Sequence, residues 1–198
     1  PAAPTETAET LQAAPMNLTE AKAAGVVSID GQTYASLAEA AEYAQADDVV
    51  VVDGALTMDA QVTFKVPVTL KLTEKAEITF SNDQNSAVSL IKLIDDSTLI
   101  MEKGSSITMD CNGEGTHTHY WTAVESTGAL TVEKFAGTIT VNDSRGAALY
   151  AGGDITFEDE ATGTIVMNNS GANRNTLGIC SDGDVVFEKG FAGSIDID

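Results

Sequence analysis

Apolar and polar residues alternate with a period of two through most of this chain, and from Leu130 to Asp198 the same alternating sentence appears three times. The copies are Leu130–Asn142 (LTVEKFAGTITVN), Ile155–Asn168 (ITFEDEATGTIVMN) and Val185–Asp198 (VVFEKGFAGSIDID). Each has a short alternating run, a Glu, a small turn ending in Gly, and a second alternating run closed by Asn or Asp. Looser copies span Leu99–Asp110 and Leu70–Asn82. Aligned on the shared Glu, the copies sit at Glu74, Glu102, Glu133, Glu158 and Glu188, spaced 28, 31, 25 and 30 residues apart. A period of this length built from strands predicts a solenoid. Ile78, Ile107, Ile139, Ile165 and Ile195 form one inward column after the turn. Phe80, Met109, Val141, Met167 and Ile197 form the next, because residues two apart share a strand face. Leu99, Leu130, Ile155 and Val185 precede the Glu by three, and Leu93, Val124, Leu149 and Ile179 precede it by nine. Three short strands per coil, each burying its apolar face only against neighbouring coils, predict an all-β parallel β-helix.

Upstream the period changes. Val26–Ile29 and Asp30-Gly31 read as a strand and turn. Ser36 and Glu39 have capping-box spacing, and Leu37, Ala40, Ala41 and Ala44 recur at helical intervals. The spacing predicts a short helix over about 36–47 that covers the open first coil and its strand edges. Val49–Val52 then reads as a buried strand, with coils running from about 49 to 198. Residues 1–24 are rich in Ala, Thr, Glu and Pro, a composition that resists packing, and read as an extended tail before the 25–198 β-helix domain. The sequence closes just after a strand with no capping pattern, so a bare last coil is expected.

The cap residues carry a resemblance. Ile29–Ala40 (IDGQTYASLAEA), Asp48–Gly54 (DVVVVDG) and Val66–Leu70 (VPVTL) resemble the N-terminal cap of right-handed β-helices of the pectin-lyase-like superfamily, in particular exported surface proteins of gut bacteria. The resemblance covers about residues 26–198. It implies a right-handed parallel β-helix and an extracellular, cell-surface location. Its motifs specify fold far better than activity.

Composition narrows the partners. The chain carries 10 Lys and Arg against 30 Asp and Glu, a formal charge of −20. Such a chain repels phosphate backbones and anionic bilayers, which excludes nucleic acid. No apolar stretch approaches the ~20 residues of a membrane span, so no membrane insertion is expected. Cys111 and Cys180 fall in coils too far apart for a bridge and are expected as unpaired thiols.

Chemistry is expected on the loops where coils differ, since scaffolds carry function there. His117 and His119, two apart, can face one way and share a metal; nothing nearby completes the four ligands of a closed site, so no metal is expected. Tyr120 and Trp121 offer ring faces to a sugar; the plainer reading packs Trp121 under its own loop and leaves the histidines in solvent. Asp143, Arg145 and Arg174 faintly echo the acidic residues and arginine of the polysaccharide lyases that the resemblance brings with it, which use calcium. No dense carboxylate cluster accompanies them, and the plainer reading has Arg145 pairing with Asp143 to fasten a turn. No cofactor is expected, with calcium the one considered. Three functions stay open: an adhesion module presenting loops to a glycan or a surface protein, a fibre subunit stacking head-to-tail on itself through a donated tail, and a polysaccharide lyase or glycoside hydrolase.

Overall fold

The computed structural model describes residues 25–81, 89–111, 121–144, 146–158, 160–168 and 177–198. The tail 1–24 lies outside them.

The chain opens with an antiparallel hairpin of β1 (Val26–Ile29) and β2 (Gln32–Tyr34), followed by α1 (Leu37–Tyr43). Ser36 caps the helix: its Oγ accepts from the Glu39 N–H at 3.0 Å, and the Glu39 carboxylate returns to the Ala35 N–H at 2.6 Å. Leu37, Ala40 and Ala41 are the buried face. The helix stops earlier than the spacing predicts, because Ala44 leaves helical geometry with ψ of 137°.

Coils then follow in sets of three strands. The first holds β3 (Val49–Asp53), β4 (Ala55–Met58) and β5 (Val62–Thr63). The second holds β6 (Thr69–Leu72), β7 (Glu77–Ser81) and β8 (Ser89–Leu93). The third holds β9 (Ser97–Met101), β10 (Ser106–Asp110) and β11 (Thr122–Ser126), and the fourth β12 (Leu130–Glu133), β13 (Thr138–Asn142) and β14 (Ala147–Ala151). After β15 (Ile155–Phe157), β16 (Thr164–Asn168) and β17 (Leu177–Ser181) come β18 (Val185–Phe187) and β19 (Ser194–Ile197). Each strand pairs in parallel with its counterpart one coil away, which makes three parallel sheets and a β-solenoid. The exceptions are β1, which lies antiparallel on β3, and β2, which lies antiparallel on β1 and forms that edge of the first sheet.

The columns after the turn align as the alternation predicts: Ile78, Ile107, Ile139, Ile165 and Ile195 pair in succession, and so do Phe80, Met109, Val141, Met167 and Ile197. As far as Ile165 and Met167 these side chains fill the lumen together with Leu70, Leu99, Val132 and Phe157. In the last coil the same inward positions are open, with Phe187 42% and Ile197 49% exposed.

The Glu column does not align throughout. Val132 pairs with Leu99 and Glu133 with Ile100, so Glu102 lies two residues beyond its expected place. Likewise Val124 pairs with Ile91, and Leu93 stands opposite Ser126. The same slip therefore affects the successive strands β8 and β9. A tight turn absorbs part of it, where the Ser105 N–H donates to the Glu102 carbonyl at 3.0 Å. A slip of two keeps every side chain on its face, so alternation alone does not forbid it. Only Glu133, Glu158 and Glu188 therefore follow one another, and Glu102 pairs instead with Lys71 at 2.8 Å. The closing polar column holds where it is described: Asp110, Asn142 and Asn168 pair in succession, and Asn168 Nδ2 donates to Asn142 Oδ1 at 3.0 Å. Cys111 and Cys180 form no disulfide, as their separation predicts.

Candidate functional site

The third sheet, β5-β8-β11-β14-β17, has an unusual strand. In β8, β11 and β14 the first three residues are all buried, and the fourth is half-exposed. The cross-strand register explains this. Ser89 pairs with Thr122 and Ile91 with Val124, while the intervening Leu90 and Ala123 make no ladder pair; Ala148 and Gly178 repeat the gap. Each strand therefore turns two successive side chains toward the core. Leu90 with Ile91, Ala123 with Val124, and Ala148 with Leu149 are all no more than 1% exposed.

Two outward rows are left, three residues apart on each strand. One row is the nearly covered Ser89, Thr122 and Ala147 with the exposed Leu177; the other is the half-exposed Lys92, Glu125, Tyr150 and Cys180. Between them runs an open groove of about 480 Å³, to which Gln61 and Gly146 also contribute. That volume lies within the range of small-ligand sites. Four strands about 4.8 Å apart carry it along the solenoid axis.

Glu125 is the centre of the groove's polar wall. Lys92 Nζ donates to its Oε1 at 2.8 Å, and Ser89 Oγ donates to its Oε2. Its side chain is 21% exposed and that of Lys92 35%, so the pair borders the open space rather than lying in bulk solvent. One rung on, the Tyr150 hydroxyl donates to Asp182 Oδ2 at 2.9 Å. That bond, then desolvation, raises the phenol above its ordinary pKa and keeps it a neutral donor. The bond also pins the ring along the groove wall. Cys180 follows Tyr150 in the same row.

At its mouth the groove depends on one close approach. Gly146 passes the Trp121 backbone, whose carbonyl accepts from Ser144 Oγ at 3.0 Å, and the same oxygen of Ser144 accepts from the Gly146 N–H at 2.9 Å.

The loop residues expected to carry chemistry fare differently. His117, His119, Tyr120, Arg145 and Arg174 lie outside the described residues. Trp121 is 2% exposed and packs against Phe80 at a ring-centroid distance of 5.9 Å. It is a core residue with no face for a sugar, because the apolar lumen takes the ring. Asp143 stands at the corner after β13 with φ of 57°, its N–H donating to the Asn168 carbonyl at 2.7 Å, and it does not line the groove. No group of three or more metal-ligating side chains occurs among the described residues.

Lys92, Glu125 and Tyr150 were not singled out by the sequence, and Cys180 only as a thiol without a bridge. The signal was present: Glu125, Tyr150 and Cys180 each directly follow the inward residues Val124, Leu149 and Ile179, and so face outward. The two-residue slip at Leu93 hid Lys92 from the same row. Comparisons with family models, with characterised proteins and with solved structures return no match for this chain.

Proposed function

We propose that this chain is a binding module of an exported, cell-surface protein, and that the groove on its third sheet holds a glycan. The groove supports this reading most directly. It is open and lined by hydroxyl, amide, carboxylate, ammonium and phenol groups, beside the apolar Ala147 and Leu177, on a parallel sheet. Its rung spacing of about 4.8 Å is close to the advance of one pyranose unit in an extended chain. Within it, among the described residues, Glu125 is the single lining carboxylate and both its oxygens are engaged by Ser89 and Lys92. Glycoside hydrolysis ordinarily uses two carboxyl groups facing one another across the bond, so the arrangement favours holding a sugar over cutting it. The strongly acidic composition and the cap resembling those of exported β-helices fit a surface location.

Binding of fluorescently tagged oligosaccharides, followed by anisotropy, tests the reading. Retention of a glycan by the intact chain and its loss in Tyr150→Ala are expected. Depolymerised product accumulating in the same mixtures would replace the reading with an enzyme.

Head-to-tail self-association is the second reading. It draws on the exposed apolar side chains Val185, Phe187, Ile195 and Ile197. Light scattering over a concentration series separates the two, since a monomer's mass at every concentration removes self-association.

A further inference from the structure

The groove's polar wall is specific enough to indicate which sugars it takes. Resting on the glycan reading above, we infer that Lys92 and Glu125 together read a vicinal diol of a neutral hexose chain, with Tyr150 stacking on the adjacent sugar, and that uronate chains are rejected.

The donor and acceptor count carries this. A carboxylate has about four lone-pair sites, and Glu125 uses one on each oxygen for Ser89 and Lys92. An ammonium has three donors, and Lys92 spends one on Glu125. The remaining acceptors and donors lie side by side on the groove wall. Two neighbouring hydroxyls of a sugar match them: one donates to Glu125 and the other accepts from Lys92. Because the ion pair is already formed, neither side chain needs to be ordered when the sugar arrives.

Tyr150 extends the subsite by one rung. It pairs with Glu125 across the strands, and its hydroxyl is held by Asp182 at 2.9 Å. A ring fixed in this way offers its apolar face to the C–H face of a pyranose while its polar tip is already satisfied.

Charge gives the selectivity. Lys92 is the one cation among the described residues lining the groove, and Glu125 neutralises it. A uronate would bring a second carboxylate beside Glu125 in a chain of net charge −20. Like charges brought together in a partly desolvated site discriminate against that ligand.

Cys180 supplies a reporter inside the groove. It lines the site and is partly exposed, whereas Cys111 is buried at 3% exposure. The experiment measures the alkylation rate of Cys180 in the intact chain with galactohexaose, mannohexaose or hexagalacturonic acid present, alongside calorimetric affinities. Slower alkylation with at least one neutral hexaose and none with hexagalacturonic acid is expected. Glu125→Gln and Lys92→Gln should each weaken the neutral ligand about tenfold, the effect of one charge-assisted hydrogen bond. Glu125→Gln should also narrow the gap to the uronate. Thr108→Ala, on another sheet, should change nothing, and unchanged melting of each variant shows that the fold persists. Protection by hexagalacturonic acid exceeding that by the neutral chains overturns the selectivity. Protection by neutral chains that is indifferent to Glu125→Gln and Lys92→Gln overturns the diol assignment while the glycan reading stands. No protection by any of the three removes the glycan reading with it.

Discussion

Gly146 passes Trp121 so closely that a Cβ built on it would stand 1.7 Å from the Trp121 carbonyl oxygen. That oxygen already accepts from Ser144 Oγ, so the contact ties the corner before β14 to the start of β11. Gly146→Ala must push one coil off the next. A loss of about 1–3 kcal/mol is expected, the usual cost of overpacking a well-filled site. Urea unfolding measures it, and an unchanged midpoint would show that the corner yields freely.

Trp121 is the chain's single tryptophan, and its burial makes it a reporter of the core. Its emission should be blue-shifted, resist acrylamide quenching and stay constant when oligosaccharide is added. Trp121→Ala should cost roughly 3–5 kcal/mol through the cavity it leaves. An emission change on adding sugar would mean that the indole reaches the ligand after all.

The lower lumen rests on an aromatic cluster. Phe157 lies 5.6 Å from Phe135, 5.0 Å from Phe187 and 5.9 Å from Phe191, between ring centroids. Phe157→Ala should destabilise by about 3–5 kcal/mol. The outward neighbour Thr156→Ala should stay within about 0.5 kcal/mol. Equal effects at the two positions would contradict the inward–outward assignment of β15.

The displaced Glu102 predicts a pH dependence. Its hydrogen bond with Lys71, opposed by some desolvation, holds its pKa below the ordinary carboxylate value. A depressed folded-state pKa contributes stability above the unfolded-state value and loses it as pH falls through the folded one. Lys71→Met should therefore lower stability near neutral pH and have less effect in acid, as Glu102 becomes protonated in the folded state too. Both partners are about one-third exposed, so the neutral-pH effect should not exceed about 1 kcal/mol. Guanidinium is unsuitable because it screens the pair; urea titrations at the two pH values supply the comparison.

The two thiols should react at very different rates. Native protein should take up one equivalent of alkylating reagent at Cys180 and a second, at Cys111, only on unfolding. Peptide mapping identifies the modified residue, and rapid labelling of Cys111 in native protein would contradict its burial.

How far the site was legible follows from the same geometry. The loops drew attention because they differ between coils and carry the chain's unusual residues, His117, His119 and Tyr120 among them. The groove lies instead on a strand face that repeats from coil to coil. Its polar residues differ at every rung, Lys92, Glu125, Tyr150 and Cys180, so no motif marks them. They become a site only because the register sets them side by side. At Trp121 the plainer reading is the one the fold follows: it ends a polar loop yet begins the buried run that enters β11.

The alternation along the chain determined, by itself, that this protein is a parallel β-solenoid with a helical cap, because side chains two apart must share a face and every inward face needs a neighbouring coil to cover it. It determined the Ile columns and the Asn and Asp corners, where one residue type recurs in coil after coil. Tertiary structure decided the register of the Glu102 coil, since a shift of two residues leaves the inward and outward pattern intact and only packing in the lumen distinguishes the alternatives. It also decided the groove, because the bend that turns Leu90 with Ile91 and Ala123 with Val124 inward is set by stacking between coils, and that stacking is what brings Lys92, Glu125 and Tyr150 onto one wall.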